Sequence, residues 1–158
     1  MKKVFFAGSF NPFTKGHADI VERMLNLAES VVIGIGFNSE KEDSIAAANN
    51  RASQIRLLFD TPMHGGRVEV VCYEGLTALA ARKAGCDAMV RGVRSATDFD
   101  YEYTLAAANR KVYGLETVLL PADPALSWIS SSVVRDLMKY GSEEEVSELL
   151  PKNQSDLL

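Results

Sequence analysis

A stretch near the start of the chain, GSFNPFTKGH, places a hydroxyl and a histidine between an apolar run and an amphipathic segment. Asn-Pro and glycine favour turns, and a turn accounts for Gly8 and Pro12. A turn does not account for His17, because the positive end of a helix dipole disfavours a charged histidine in a first turn. Since the N–H groups at a helix N-terminus bind anions, the stretch predicts a phosphate site.

Polar residues and glycines also follow the other predicted strands, at the edge where parallel α/β sheets bind ligands. In strand order they are Ser9 and His17; Lys41; Leu76 and Thr77; Arg91, Gly92 and Arg94; and the segment SWISSS. The chain has 17 basic and 21 acidic residues and a net charge of −4. A mildly acidic protein that gathers cations at one sheet edge is expected to bind an anion there, and phosphate fits best.

Each of these features also has a structural interpretation. Lys41 lies among acidic residues and by itself would be a solvated loop residue. RGVR could be a surface turn with salt bridges, and ISSS could cap a helix, although three hydroxyls exceed what a cap needs. Taken alone, His17 is as compatible with a structural role as with a functional one. His64, in PMHGG, is predicted to be an exposed turn residue. The joint placement is what indicates a site.

The elements that position these residues alternate along the chain. The predicted strands are KVFFAG, SVVIGIGF, RVEVVCY, DAMVRG and ETVLLP. Helices are predicted from about Thr14 to Glu29, from about Asn50 to Asp60, and over LTALAARKAG, DFDYEYTLAAANRKVYG, SSVVRDLMKYG and SEEEVSELLP. The segment NSEKEDSIAAANN, which is polar at its start, is predicted to be a loop. This alternation predicts a Rossmann-like α/β fold, with a parallel five-stranded sheet and helices on both faces.

Length and composition limit the classes of protein to which this chain can belong. A chain of 158 residues is expected to form one domain, 1–158, with a short mobile tail from about residue 152. The acidic balance argues against general nucleic-acid binding, and no segment suits a signal peptide or a membrane span. Cys72 and Cys86 lack metal or redox spacing, so both are expected to be buried thiols of a reducing compartment. We therefore expect a cytoplasmic protein.

Three motifs together resemble a known family. Thr14-Lys15-Gly16-His17 resembles the (T/H)xGH signature of the nucleotidyltransferase superfamily, and WISSSVVR resembles its second, ISSS-type signature. RGVRSATDFDYEYTLAAANR resembles a block of bacterial phosphopantetheine adenylyltransferases, and the match runs from about Lys2 to Leu150. The resemblance implies transfer of AMP from ATP to 4'-phosphopantetheine, giving dephospho-coenzyme A and pyrophosphate in the penultimate step of coenzyme A biosynthesis. It implies direct in-line attack without a covalent intermediate.

The resemblance also implies roles for residues at the matching positions. The implied catalytic residues are His17, Ser9, Lys41 and Arg91: His17 donates a hydrogen bond near the α-phosphate, and Lys41 and Arg91 grip the acceptor phosphate. The implied ATP-binding residues are Ser9, Phe10, His17, Gly92, Val93, Arg94, Glu102, Leu126, Ser127, Trp128, Ile129, Ser130, Ser131 and Ser132. The implied 4'-phosphopantetheine-binding residues are Ser9, Lys41, Leu76, Thr77, Arg91 and Asn109.

The implied cofactor is Mg²⁺ carried by the ATP phosphates, because no carboxylate cluster with metal-ligand spacing is present in the sequence. The resemblance further implies a homohexamer and feedback inhibition by coenzyme A. The chain departs from the family pattern at Asn11, where aspartate is common, and at Leu126 and Trp128, which alter the adenine contact. Its loop between Lys41 and Arg51 is one residue longer than in many relatives.

Two other function classes remain open. One is an adenylyl- or cytidylyltransferase that acts on another phosphorylated small molecule, such as nicotinate mononucleotide or glycerol phosphate. The other is a non-catalytic nucleotide-sensing module on the same fold. RGVRSATDFDYE together with Lys41 favours the pantetheine enzyme, and the intact His17 and ISSS disfavour a sensing module. The apolar and aromatic residues of the long DFDYEYTLAAANRKVYG helix fit either an interface or a core position.

Overall fold

The computed structural model describes residues 1–41 and 43–152. Five strands form one parallel sheet in the order β3-β2-β1-β4-β5. The strands are β1 (Lys3–Gly8), β2 (Ser30–Phe37), β3 (Val68–Glu74), β4 (Ala88–Val93) and β5 (Glu116–Pro121). The helices are α1 (Lys15–Leu25), α2 (Ile45–Phe59), α3 (Thr77–Lys83), α4 (Ala96–Tyr113), α5 (Ser131–Tyr140) and α6 (Glu143–Ser147). The predicted α/β fold is confirmed. The predicted mobile tail falls largely on 153–158, outside the described residues.

Two apolar layers cover the two faces of the sheet. On one face, Val21 of α1 and Ile55 of α2 pack in a cluster with side chains of β1, β2 and β4. On the other face, Phe5 of β1 packs with Ala81 of α3. A third, smaller cluster holds α5 and α6 together around Leu150. Because successive strand residues point to opposite faces, the buried run of β1 serves both layers.

The direction of the chain across the sheet reverses at its centre. From β1 the chain moves outward to β2 and β3, returns to β4 beside β1, and continues to β5. The loops that leave β1 and β4 therefore run to opposite faces and leave a crevice at the carboxyl ends of these strands. Open α/β sheets bind their ligands at such a switch point.

The first helix is shorter than predicted. It begins after its N-cap Thr14, as expected, but ends at Leu25 with Asn26 as C-cap rather than continuing to Glu29. The residues that follow fold into a turn in which Ala28 is buried without being helical. An apolar side chain on the helical period was therefore not sufficient to extend the helix.

The second helix begins earlier than predicted, at Ile45 rather than Asn50. The side chain of Ser44 accepts a hydrogen bond from the N–H of Ala47 and forms the N-cap. Ser44 lies in the segment predicted to be a loop, although serine is among the strongest N-cap residues. The first turn of α2 buries Ala48 against the sheet.

The prediction that His64 is an exposed turn residue is wrong. The turn is present, but His64 is only 5% exposed, and its ring packs on Phe59 with the centroids 5.1 Å apart. Its Nδ1 lies 2.6 Å from Oγ1 of Thr61, and its Nε2 lies 2.7 Å from Oε1 of Glu22. The ring therefore ties the turn to α1, which no local pattern shows.

Burial of the two thiols also differs from the prediction. Cys86 is buried, but Cys72 is only half-buried. Burial raises the pKa of both thiols, that of Cys86 to about 11. Both cysteines are free, and among the described residues no helix has the length and apolar character needed to cross a bilayer.

The long helix α4 is not a core helix. Of its residues, all of which the structure describes, only Glu102 is buried. Its exposed apolar and aromatic side chains are Phe99, Tyr101, Tyr103, Leu105 and Val112. The rings of Phe99 and Tyr103 stack with centroids 6.0 Å apart. The wide apolar face noted in the sequence therefore lies at the surface of this chain.

Candidate active site

A cavity of about 380 Å³ opens at the carboxyl ends of β1, β4 and β5. The N-termini of α1 and α5 both reach it. The predicted site residues in its wall are Ser9, Phe10, His17, Arg91, Gly92, Arg94, Glu102, Leu126, Ile129, Ser130, Ser131 and Ser132. Most of the predicted nucleotide-binding set is thus gathered at the switch point of the sheet.

Several predicted acceptor-binding residues lie at the same sheet edge but outside this wall. Lys41 is exposed in the turn after β2, and its N–H donates to the carbonyl of Asn38 over 3.0 Å. Leu76 is the exposed N-cap residue of α3, and Oγ1 of Thr77 lies 2.8 Å from the hydroxyl of Tyr73. The roles of Lys41, Leu76 and Thr77 remain predictions.

Four other predicted residues also lie outside the cavity wall. Asn109 is on α4, seven residues after Glu102, which places it roughly 10 Å further along the helix axis. Trp128 is 59% exposed, and its indole N–H donates to the carbonyl of Ala125 over 3.1 Å. Val93 and Ser127 are next to wall residues in the chain. Their contacts with a ligand remain predictions.

The loop after β1 is shaped by the ring of Phe10. This residue has a φ of 49° and is 2% exposed. A Cβ atom added to Gly8 would lie 2.8 Å from Cε1 of Phe10, so only glycine leaves room for the ring. The ring also packs edge-on against His17, with centroids 5.0 Å apart. The ring of Phe10 therefore gives a steric reason for glycine at position 8, in addition to the turn.

The side chain of His17 is held from one side by the N-cap of α1. The N–H of Thr14 donates to Nδ1 of His17 over 3.0 Å, and the N–H of His17 donates to Oγ1 of Thr14 over 3.4 Å. The two residues form a capping box, so His17 has a local structural role, which the sequence had left as open as a functional one. Because Nδ1 accepts a hydrogen bond, the neutral ring carries its proton on Nε2.

The surroundings of His17 keep the ring uncharged. Burial among aromatic rings, and then the charges of Arg94 and Arg91, lower its pKa to about 4. The ring centroids of Phe10 and Phe13 lie 5.0 and 5.4 Å from that of His17. At neutral pH the ring therefore offers the cavity a neutral N–H donor, and it does not act as a cation.

Each hydroxyl of the ISSS segment has a partner within the protein. Ser130 is the N-cap of α5 and accepts from the N–H of Val133 over 3.2 Å. The hydroxyl of Ser131 donates to the carbonyl of Pro12 over 2.8 Å. The hydroxyl of Ser132 accepts from a guanidinium over 3.2 Å. All three serines therefore have a structural role, and the N-terminal N–H groups of α5 are available to an anion together with the O–H groups of Ser130 and Ser132, which only accept in these contacts.

Arg135 supplies that guanidinium and was not among the predicted site residues. Its Nη2 donates to Ser132, and its Nη1 donates to the carbonyl of Asn11 over 2.6 Å. The side chain therefore joins the first turn of α5 to the loop after β1 while lining the cavity. Thr14 and Asp98 also line the cavity and were not predicted. All three residues lie inside the motifs that carry the family resemblance, so their position in those motifs could have indicated them from the sequence.

Arg91 is fixed by three hydrogen bonds within the protein. Its Nε and Nη2 donate to the two carboxylate oxygens of Glu102 over 2.9 and 2.8 Å. Its Nη1 donates to the carbonyl of Ala7, at the end of β1, over 2.6 Å. The side chains come from β4 and α4, so the pair also joins the long helix to the sheet.

Arg94 is held more loosely at the rim of the cavity. Its Nε donates to Oδ2 of Asp98 over 3.1 Å, and its own backbone N–H donates to the same oxygen over 3.2 Å. The side chain of Arg94 is 45% exposed, against 32% for that of Arg91. The cavity thus has one fixed and one adaptable arginine, together with Arg135.

The charge and donor pattern of this wall suits a polyanion. Three guanidinium groups face two carboxylates, and those carboxylates are already paired with Arg91 and Arg94. The neutral N–H of His17 and the first turn of α5 add donors without charge. No group of three or more metal-ligating side chains occurs within the described ranges. The arrangement can hold phosphates and stabilise charge that develops between them.

Comparison with known proteins identifies the family. The Cytidylyltransferase-like family model matches residues 5–137. The phosphopantetheine adenylyltransferase of Porphyromonas gingivalis is 47% identical over 154 residues, covering 96% of this chain and 97% of the relative. The chain belongs to the phosphopantetheine adenylyltransferase family. The family member from Bacteroides thetaiotaomicron is 39% identical over 153 residues, with 96% and 97% covered.

A solved structure agrees with this assignment at the level of the fold. The nicotinic acid mononucleotide adenylyltransferase of Plasmodium falciparum superposes with a TM-score of 0.63 at 14% identity, covering 98% of this chain and 93% of that chain. The identities with the curated relatives confirm the family resemblance seen in the sequence, and the chain is an enzyme of the nucleotidyltransferase class.

Proposed function

We propose that this chain transfers the AMP moiety of ATP to the phosphate of 4'-phosphopantetheine, giving dephospho-coenzyme A and pyrophosphate. The main support is the neutral His17 N–H donor in the wall of a cavity that also contains Arg91, Arg94 and Arg135. The names of the close relatives support the same reaction, which would be the penultimate step of coenzyme A biosynthesis.

The chemistry needs positioning and charge stabilisation more than acid–base catalysis. The acceptor phosphate is an anionic nucleophile at neutral pH, so no general base has to activate it. One of its oxygens attacks the α-phosphorus of ATP, and the bond from that phosphorus to the bridging oxygen of pyrophosphate breaks in line. Because the pKa of His17 is lowered to about 4, the residue donates a hydrogen bond to the α-phosphate and transfers no proton.

The two anions must be held close together despite their repulsion. We assign Arg91, Lys41 and Ser9 to the acceptor phosphate, since Arg91 is fixed and Lys41 lies on the neighbouring loop at the same sheet edge. We assign Arg94 and the first turn of α5 to the nucleotide phosphates. The segment from Leu126 to Ser132 then faces the rest of the nucleotide. Holding both reactants in this way converts an unfavourable encounter into a positioned one.

We propose that Mg²⁺ enters this site as the complex with ATP. Mg²⁺ prefers phosphate oxygens and retained waters to all-protein cages. The cavity carboxylates of Asp98 and Glu102 are engaged by arginines, so neither is available as an uncommitted metal ligand. When bound, the ion supplies charge neutralisation on the phosphates.

The wider setting of the reaction is also a proposal. We infer a cytoplasmic enzyme, because two free thiols suit a reducing compartment. A homohexamer, which the family resemblance implies, is supported by the exposed apolar side chains of α4. Coenzyme A, which contains the product, is the implied feedback inhibitor.

The proposal is tested by pyrophosphate release from Mg-ATP with a panel of acceptors: 4'-phosphopantetheine, nicotinate mononucleotide and glycerol 3-phosphate, with CTP as an alternative donor. We expect release only with ATP and 4'-phosphopantetheine. Release with another acceptor would retain the superfamily chemistry and overturn the substrate. Folded protein that binds ATP but releases no pyrophosphate with any pair would indicate a sensing module instead.

A further inference from the structure

The exposed carboxylate of Glu74, the last residue of β3, accepts two hydrogen bonds from one residue of the neighbouring loop. The N–H and the hydroxyl of Ser39 both donate to Oε1 of Glu74, over 2.8 and 2.6 Å. The hydrogen bond from the hydroxyl, and then that from the N–H, lower the pKa of Glu74, so its carboxylate is ionised at neutral pH. Hydrogen bonds to an ionised acceptor are shorter and stronger than neutral ones. The contact therefore fixes Ser39 relative to the end of β3.

This contact joins two loops that both carry predicted acceptor-binding residues. In the parallel register of β2 and β3, Phe37 lies beside Glu74, and each is the last residue of its strand. Ser39 comes two residues before Lys41, and Glu74 comes two residues before Leu76. Neither Ser39 nor Glu74 was among the predicted site residues. The contact thus sets the position of one acceptor-binding loop relative to the other.

The β3 side of the contact is held by the sheet and by α3. The ring of Tyr73 packs edge-on against Phe5 of the central strand, with centroids 5.7 Å apart. The hydroxyl of Tyr73 lies 2.8 Å from Oγ1 of Thr77, in the first turn of α3. Glu74 follows Tyr73 directly, so its backbone is fixed by these contacts. The contact with Glu74 therefore orients the loop of Ser39 against a fixed support.

The loop after β2 is a short turn closed by its own hydrogen bonds. The N–H of Lys41 donates to the carbonyl of Asn38 over 3.0 Å. Asn38 also pairs with Asp43 in an isolated antiparallel bridge, and Asp43 forms an ion pair with Arg51 of α2. Because the turn is closed in this way, fixing Ser39 also fixes the backbone of Lys41.

We propose that Glu74 is a positioning residue for the acceptor, which holds the turn of Lys41 in place before 4'-phosphopantetheine binds. The inference rests on the proposed function, because Lys41 is assigned there to the acceptor phosphate. A loop that becomes ordered only on binding reduces the affinity for its ligand, and a loop that is already ordered avoids this cost. Glu74 acts on the acceptor through Lys41.

The sign of the effect separates this role from simple electrostatics. A carboxylate near an anionic ligand repels it, so loss of the charge of Glu74 would by itself strengthen binding of the acceptor. Loss of the two hydrogen bonds from Ser39 has the opposite effect, because the turn is then ordered only when the ligand binds. Glu74→Ala removes the charge and the accepting oxygen, whereas Glu74→Gln removes the charge and keeps an oxygen that can accept both hydrogen bonds.

The test is calorimetric binding to the full chain, with 4'-phosphopantetheine and Mg-α,β-methylene ATP titrated separately. The proteins are the wild type, Glu74→Ala, Glu74→Gln, Lys41→Ala and the double variant Glu74→Ala/Lys41→Ala. Glu69→Ala is the matched control, since Glu69 is an exposed carboxylate near the opposite end of β3 and pairs with Lys3 over 2.8 Å. Urea unfolding of each variant verifies that it is folded.

We expect Glu74→Ala to raise the dissociation constant of 4'-phosphopantetheine about fivefold, the usual cost of ordering a loop segment on binding. The dissociation constant of the ATP analogue should stay within about twofold, and Glu69→Ala should change neither. Glu74→Gln should bind both ligands within about twofold of the wild type, because its amide oxygen still accepts from Ser39. In the Lys41→Ala background, Glu74→Ala should have no further effect on acceptor binding.

Four results would overturn the inference. They are acceptor binding that is unchanged or stronger in Glu74→Ala, an equal loss for the ATP analogue, an equal loss in Glu74→Gln, and an equal loss in the Lys41→Ala background. A wild-type protein that does not bind 4'-phosphopantetheine would overturn the proposed function, and this inference with it. The two failures are distinguishable, because the first is seen only in the variants and the second already in the wild type.

Discussion

The backbone N–H of Thr14 donates to Nδ1 of His17 over 3.0 Å, which leaves Nε2 as the ring nitrogen that carries the proton. The cap of α1 therefore performs two tasks: it begins the helix and sets the tautomer of the histidine that lines the cavity. The donor is a backbone group, so it is retained whichever side chain occupies position 14, and in this chain Oγ1 of Thr14 also lies 3.2 Å from Nδ1.

The tautomer can be observed by NMR. The chain has only two histidines, His17 and His64, so ¹⁵N-labelled imidazole signals can be assigned with one variant of each. We expect the signals of His17 to show a proton on Nε2 and a neutral ring down to about pH 4, the value to which its pKa is lowered. A ring that protonates near its ordinary pKa of 6.5, or carries its proton on Nδ1, would contradict the assigned role.

The same pKa predicts how the stability of the fold depends on pH. Above about pH 6.5 the ring is neutral in both the folded and the unfolded chain. Between about pH 6.5 and 4 the unfolded chain binds the proton and the folded chain does not, so the free energy of unfolding falls as the pH falls. Urea unfolding at pH 7, 6 and 5 should show a smaller loss in His17→Asn than in the wild type. Equal losses would mean that His17 titrates normally.

The hydroxyl of Thr14 can be separated from its N–H by substitution. Thr14→Val removes the N-cap oxygen that accepts the N–H of His17, and we expect a loss of about 1 kcal/mol in the free energy of unfolding. Thr14→Ser keeps the hydroxyl and should stay near the wild type. Since both variants keep the backbone donor, the tautomer of His17 should not change. Urea unfolding measures the change in stability, and NMR measures the tautomer. A change of tautomer in Thr14→Val would show that the hydroxyl of Thr14 sets the tautomer of His17.

Removing the ring tests its role in the reaction. We expect His17→Ala to lower kcat by about 10²- to 10³-fold, the usual cost of one transition-state donor, while the Kd for Mg-ATP changes little. His64→Ala is the matched control: His64 bonds Thr61 and Glu22 outside the cavity, so its loss should affect stability more than kcat. Turnover near the wild-type value in His17→Ala would refute the assignment.

The sequence predicts the parts of this architecture that depend on local pattern. The β-branched run of β2 has the predicted bounds, and the rule that ligands bind at strand carboxyl ends places His17, Arg91 and Ser130 in one cavity. The burial of His64 depends on a contact with the distant helix α1. The pairing of Arg91 with Glu102 depends on how α4 packs on β4. No periodicity in the sequence encodes those contacts.

A further arginine–carboxylate pair, outside the cavity, anchors the loop that carries Lys41. Nη1 and Nη2 of Arg51 donate to the two oxygens of Asp43 over 2.9 Å each, and the Arg51 side chain is 11% exposed. Removing one partner leaves the charge of the other buried without a partner. We therefore expect Asp43→Ala to lower the free energy of unfolding by about 3 kcal/mol. Asp43→Ala/Arg51→Met should recover most of that loss. A loss that persists in the double variant would mean that Asp43 acts through something other than the charge of Arg51.

The position of Lys41 leads to the last prediction. Lys41 lies on the loop after β2, at the sheet edge shared with Arg91, but it is exposed and outside the cavity wall. If it reaches the acceptor phosphate, Lys41→Ala should raise the KM for 4'-phosphopantetheine by roughly tenfold and leave the KM for ATP almost unchanged. Lys83→Ala, at the end of α3, is the control and should change neither. A rise confined to the KM for ATP would mean that the two substrates occupy opposite halves of the site from those assigned.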